Sequence, residues 1–341
     1  MIETLERYVA LTREAMTDAV AGGAPSDYLY DLVRDYTARE GKGLRPALLL
    51  ATADACGASI PSAVPAAAAL ELLHTAFLIH DDIEDSSRLR RGRPTLHELH
   101  GVALAINAGD ALANLATQPL MSGAFPRYRS REVLAELRMA IRQTTEGQAL
   151  ELGWRRTGHL DLTETDYLEL VGRKTCWYTT MAPLRIAAQL GRWRPRPDAL
   201  DRLGFLAGCA FQIRDDLLDL APGGQAGKEP RSDLREGKRT LMLIHLLERA
   251  GAAERAWVVD YLSRPEVART TGDAERLLRL MIEAGSLAYA EQVADVLASA
   301  ARRCLEAAFV DVPDSAALQF LRELVDYLIT GRLDGAGPAR P

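Results

Sequence analysis

Residues 66–85 read AAAALELLHTAFLIHDDIED, with neither Gly nor Pro in the run. Ala and Leu dominate it, the side chains that lose least on entering a helix. The spacing predicts one long helix that closes on a cluster of acids. Pro61 and Pro65 lie just before it and Glu71 within it, so this reading leaves no uninterrupted apolar span of the ~20 residues a membrane crossing needs. The stretch after it, SSRLRRGRPT at 86–95, reads as a basic loop.

Working outward, residues 2–20 repeat apolar positions at helical spacing, GGAPS at 22–26 is a turn, and a second helix is expected over 27–38. Gly41, Gly43 and Pro46 mark a loop feeding the apolar run ALLLATADA at 47–55. Further helices are expected over 103–119, 131–153, 163–190, 198–220, 238–262, 273–307 and 315–330, parted by breaks such as GRWRPRP (191–197) and APGGQAGKEPRSD (221–233). No alternating strand pattern, fixed-period repeat or low-complexity linker interrupts them. The expectation is an all-α protein built as a single large helical bundle over 1–334, with GAGPARP (335–341) as a disordered tail.

Composition agrees. The chain of 341 residues is 48% hydrophobic yet only 6% aromatic, which favours helix over sheet. A net charge of −6 argues against a nucleic-acid surface. Glu3 and Glu6 deny the N-terminus the basic start of a signal peptide, so a soluble, cytoplasmic protein without stable membrane insertion is expected. Cys56, Cys176, Cys209 and Cys304 show no CxxC spacing and read as small apolar core residues.

The chemistry is carried by carboxylates. DDIED sets Asp81, Asp82 and Asp85 at i, i+1 and i+4, which puts Asp81 and Asp85 one turn apart on one helix face, with Glu84 beside them. Such a cluster alone is usually a solvated helix end. A second one, FQIRDDLLDL, repeats the spacing with Asp215, Asp216 and Asp219 among Phe211, Ile213, Leu217 and Leu218, in surroundings too apolar for a solvated face. Two carboxylate clusters facing across an apolar cavity suit hard divalent cations. Cations that keep water and take phosphate oxygens as further ligands are typically Mg²⁺, which makes a diphosphate the expected ligand.

In order along the chain stand GKGLRP (41–46), ELLHTAFLIHDDIEDSSRLRRGRPT (71–95), AINAGD (105–110), GQALE (147–151), RKT (173–175), FQIRDDLLD (211–219) and GKEPRSDLREGKRT (227–240). Seven elements in register make the chain resemble the trans-isoprenyl diphosphate synthases, the polyprenyl synthetase family that includes geranylgeranyl and farnesyl diphosphate synthases. The resemblance implies the class I isoprenoid synthase bundle with a central apolar cavity, several Mg²⁺ ions, and a homodimer. It implies a prenyltransferase that condenses isopentenyl diphosphate with an allylic prenyl diphosphate. Asp81, Asp82, Asp85, Asp215, Asp216 and Asp219 fall on the family's metal ligands. Lys42, Arg45, His74 and Arg91 fall on its isopentenyl diphosphate site, and Arg90, Lys174, Thr175, Gln212, Lys228 and Lys238 on its allylic diphosphate site.

Two departures stand out: Glu151 where the family usually has Asp, and Arg231 where a Gly often precedes the Asp of the GK–D loop. A class I terpene cyclase on the same fold needs no isopentenyl site, so the second set of basic residues argues against it. A metal-dependent phosphohydrolase would more naturally use His–Asp ligand pairs. Ala76 and Phe77 fall where the family sets product length. One small and one bulky residue there imply geranylgeranyl diphosphate, with farnesyl diphosphate next. The alternative is a cavity floor on a neighbouring helix, near Leu112 or Leu115.

Overall fold

The computed structural model describes residues 1–39, 41–122, 125, 127–221 and 231–331. Lys228 and the expected tail at 335–341 lie outside them. Helices α1 (Ile2–Ala19), α2 (Asp31–Thr37), α3 (Leu44–Ala55) and α4 (Ile60–Glu84) come first, followed by α5 (Leu96–His100), α6 (Val102–Leu115), α7 (Gln118–Met121) and α8 (Arg127–Thr157). Helix α9 (Glu164–Val171), a π-helix (Gly172–Met181) and α10 (Ala182–Leu190) form one continuous rod. The remainder is α11 (Pro197–Leu220), α12 (Ser232–Glu236), α13 (Leu241–Arg249), α14 (Ala252–Ser263), α15 (Thr271–Glu283), α16 (Ser286–Ala308) and α17 (Ala316–Thr330).

The fold is all-α, as expected, with three local corrections. The basic loop holds a minimal antiparallel hairpin, Leu89–Arg90 against Arg93–Pro94, closed by Arg91 and Gly92 with positive φ. The helix expected over 238–262 breaks at Ala250–Gly251, and that over 273–307 breaks at Gly285, which takes the left-handed φ of 72° that ends a helix.

Helix α4 also begins six residues before Ala66, at Ile60. Pro61 sits in the first turn, where no amide hydrogen is needed, and Pro65 forfeits one bond in the second, so the helix runs through both. With that extension it is long and apolar enough to cross a membrane by length and composition, contrary to the interrupted reading. Of its most apolar window 72% is buried inside the protein, which makes it a core helix. Ala66, Ala67, Ala68 and Ala69 are fully buried, and side chains this small let neighbouring helices approach closely.

Two apolar clusters make up the interior. One gathers α1–α4, α6, α10 and α17; the other gathers α9, α13, α14 and α15. Helices α11 and α16 belong to both: Leu203 and Ala207 serve the first and Cys209 and Ile213 the second, while Ala301 and Leu305 serve the first and Ala290 and Ala294 the second. The second aspartate motif ends α11, one of the two helices shared by the clusters, and the first ends the core helix of one of them.

Candidate active site

Asp81 and Asp82 lie in the last turn of α4, Asp85 caps it, and the three face different surroundings. Asp82 is buried: Tyr36 donates its phenol to one oxygen and Arg90 Nε donates to the other at 2.7 Å. Burial pushes the Asp82 carboxyl up, and Arg90 opposes this. Asp81 stays one-quarter exposed, within 3.5 Å of Arg90 and 3.4 Å of Lys174 Nζ. Asp85 is buried between Arg155 at 2.8 Å and Lys238 at 3.1 Å.

The second motif repeats this division. Asp216 is buried and accepts from Tyr167 at 2.9 Å and from Gln212 Nε2 at 2.7 Å, while Gln212 Oε1 accepts from Thr175 at 2.9 Å. Asp219 accepts from Ser232 Oγ and the Asp233 amide, both at 3.1 Å. Asp215 is the half-buried member. Lys238 ties the first motif to α12, since its ammonium reaches Asp85 and Asp233 at 3.1 Å each and Glu236 at 2.8 Å, and the Asp233 amide in turn donates to Asp219.

Lys174 is placed by the π-helix. Gly147 on α8 has no room for a Cβ, which would lie 2.4 Å from the Lys174 amide nitrogen, so the glycine of GQALE is there to let the two backbones touch. The same approach brings Glu151 onto Lys174 as an ion pair, with Asp81 on the other side of the ammonium. The departure at position 151 thus places a carboxylate on the lysine. At the other departure, Arg231 adopts φ 58°, ψ 35° at the head of α12, a left-handed conformation that glycine would hold without strain.

A second cluster lies up α4, centred on His74. Arg45 Nη1 bonds His74 Nε2 at 3.1 Å, and Arg45 Nη2 bonds the Tyr178 hydroxyl at 3.1 Å. Arginine only donates, so Nε2 accepts and the ring proton is assigned to Nδ1. Burial, then the cations Arg45, Arg91 and Arg90, holds His74 well below its ordinary range, so the ring is neutral at pH 7. Among the described residues, buried His74 Nδ1 and Arg45 Nε have no partner, so two donors are left to meet an acceptor. Arg91, at φ 56°, closes over Gly41 and donates to the Arg39 carbonyl at 2.7 Å, while Lys42 is exposed. Ala76 is buried, and Phe77 is half-buried with its ring edge-on to Tyr178.

The donor set fits a hard divalent cation. Every candidate ligand is a carboxylate, and Asp216 is pushed well above the usual carboxylate range by burial and by Asp233 and Asp215, a repulsion that a bound cation relieves. Among the described residues no three acidic, His or Cys side chains already stand close enough together to hold a metal ion.

Residues 26–281 match the family described as Polyprenyl synthetase. The chain belongs to this family. The geranylgeranyl diphosphate synthase of Methanosarcina mazei is 34% identical, with 93% of this chain and 94% of that one aligned. The geranylfarnesyl diphosphate synthase of Natronomonas pharaonis is 32% identical over 95% of this chain and 97% of its own. Among solved structures, the geranylgeranyl pyrophosphate synthase of Corynebacterium glutamicum, complexed with isoprenyl diphosphate and magnesium, superposes with a TM-score of 0.86 at 26% identity, covering 96% and 99% of the two chains. The chain is accordingly a prenyltransferase that elongates prenyl diphosphates.

Sequence reasoning missed Tyr36, Tyr167, Tyr178, Gln148 and Arg155. Gln148, inside GQALE, donates to Glu84 at 2.5 Å. The helical periodicity of α8 could have found Arg155, two turns after Gln148, and Tyr178 stands about one turn after Lys174. The other two tyrosines come from helices that carry no motif.

Proposed function

We propose that this synthase makes geranylgeranyl diphosphate as its main product, as a single-domain, cytoplasmic homodimer that uses Mg²⁺ at its two aspartate motifs. The observation that carries this reading is the contrast between two anion sites on one helix. The end of α4 is rich in carboxylates, whereas seven residues earlier, about 10 Å along the axis, His74 and Arg45 present donors that meet no acceptor among the described residues. A diphosphate that must leave belongs at the first, and one that must only be held belongs at the second.

At the first site, Asp81, Asp85, Asp215 and Asp219 would hold Mg²⁺, which would supply positive charge to stabilise a departing diphosphate. Lys174 and Lys238 add fixed positive charge there, and Arg90 keeps Asp82 in place. The allylic C–O bond breaks with its electron pair leaving on the diphosphate. At the second site, Arg45, Arg91, Lys42 and neutral His74 hold isopentenyl diphosphate so that its double bond attacks the first carbon of the allylic cation. The proton lost from the resulting tertiary cation goes to the released diphosphate.

Incubation with isopentenyl diphosphate and dimethylallyl, geranyl or farnesyl diphosphate in Mg²⁺, followed by chain-length analysis, tests the reading. A twenty-carbon product is expected, and cyclised hydrocarbon without elongation would overturn it. Arg45→Ala should raise KM for isopentenyl diphosphate about tenfold to a hundredfold, the loss of one charge-assisted phosphate contact, and leave the allylic KM much less affected. Equal losses for the two substrates would argue for one shared site.

Product length should answer to Phe77. Its side chain leans towards the N-terminus of α4, away from Asp81, where the growing chain would run. Phe77→Ala should give longer products. Ala76→Phe should shorten them towards farnesyl diphosphate, and because Ala76 is buried it should also cost about 1–3 kcal/mol of stability through overpacking. An unchanged product spread in both variants would move the limit to another helix, such as the one bearing Leu112 and Leu115.

A further inference from the structure

Tyr178 takes no part in the chemistry described above, yet it contacts three of the groups assigned to it. Its hydroxyl accepts from Arg45 Nη2 at 3.1 Å, and its ring lies 4.6 Å from the Arg45 guanidinium carbon. The same ring stacks on His74 at 5.6 Å and 26°, and meets the Phe77 ring edge-on at 5.5 Å and 74°. It thus joins α3, both relevant turns of α4 and the π-helix at one side chain.

Arginine carries five N–H donors in a rigid plane on a flexible stem. The bonds to His74 and Tyr178 take one donor on each terminal nitrogen, leaving Nε–H and two further hydrogens for an anion. A guanidinium held by His74 alone keeps one bond about which its plane turns. The Tyr178 hydroxyl supplies the second bond and the ring a face to lie on, so the plane is fixed before substrate arrives.

We propose that Tyr178 is the positioning residue for isopentenyl diphosphate, setting the Arg45 plane from one side of its ring and bracing the chain-limiting Phe77 from the other. The proposal rests on the reading of Arg45 and His74 as the anchor of that substrate. Its consequence is that the placement of the nucleophile and the length of the product share one residue.

Steady-state kinetics of Tyr178→Phe and Tyr178→Leu, with each substrate varied in turn, test it. Tyr178→Phe keeps the ring and loses the acceptor, and KM for isopentenyl diphosphate should rise about threefold to tenfold while the allylic KM moves by less than about twofold. Tyr178→Leu loses both, and KM should rise by roughly thirtyfold or more, with products shifted to greater length because Phe77 loses its neighbour. The near-isosteric Phe variant decides the question even if the Leu variant fails to fold. Equal rises in both KM values, or a Tyr178→Phe enzyme with unaltered isopentenyl KM, would overturn the proposal. Arg45→Ala measured alongside separates the two failures: if it also leaves that KM unaltered, the anchor reading falls; if it raises it, only the role of Tyr178 falls.

Discussion

Asp81→Ala should lower turnover by about 10²–10³-fold and leave the fold intact, whereas Asp82→Ala, one residue on, should lose stability as well. The two carboxylates differ in what they leave behind. Asp81 is one-quarter exposed, and its cationic neighbours Lys174 and Arg90 keep other partners, Glu151 and Asp82. Its removal also relieves a like-charge pair in the last turn of α4. What is lost is charge at the leaving diphosphate, and one such group is commonly worth about 10²–10³-fold in turnover. Removing Asp82 instead leaves the buried Arg90 guanidinium with only the longer 3.5 Å contact to Asp81 and takes the acceptor from the Tyr36 hydroxyl, and breaking a buried ion pair from one side costs up to about 3–5 kcal/mol. Turnover assays beside urea unfolding check both. Full activity in Asp81→Ala at saturating Mg²⁺ would remove Asp81 from the metal site, and unaltered stability in Asp82→Ala would show that Arg90 finds solvent or another partner.

The same pair shows how far the sequence could be read. The DDIED spacing gives the face shared by Asp81 and Asp85, because the helical period is fixed by backbone geometry. It does not say which aspartate is buried, since that depends on Tyr36 and Arg90 arriving from α2 and the hairpin. Long Ala/Leu-rich runs without Gly or Pro were legible as helices because propensity and pattern agree there. The breaks at Gly251 and Gly285 were not legible, because each is a single glycine between two periodic stretches and the decision to turn is made by packing in the second core cluster. Pro65 misled in the other direction: one lost hydrogen bond is outweighed by burial along α4. At the site, charged residues within motifs were found, and the tyrosines that hold them were not. A phenol's role lies in the residue it reaches, and the partners of Tyr36, Tyr167 and Tyr178 are 46, 49 and 133 positions away along the chain.

Lys238→Met should be strongly destabilising, and its cost should grow with pH. The half-buried ammonium sits among Asp85, Asp233 and Glu236, and Asp85 also pairs with Arg155. Removing one partner of a buried ionic cluster costs about 3–5 kcal/mol. Glu236 sets the pH dependence. Burial first, and the nearby charges of Asp85 and Asp233, push its carboxyl up to about 8 although Lys238 opposes the rise. A folded-state pKa above the unfolded one means that the folded protein holds the extra proton, so this group's contribution to stability falls as pH rises from the ordinary carboxylate range towards about 8. Without Lys238 that pKa climbs further, and the penalty of ionising Glu236 in place continues past the point where the parent protein has already ionised it. The stability difference between parent and Lys238→Met, measured by urea unfolding, should therefore be smaller near pH 5, where only Asp85 and Asp233 feel the missing cation, and greatest above pH 8. Adding Glu236→Gln to Lys238→Met removes the group responsible and should recover part of the loss at pH 8 but little at pH 5. A difference that does not vary with pH, or a double variant no more stable than Lys238→Met at pH 8, would mean that Asp85 and Asp233, rather than Glu236, bear the cost of the missing cation.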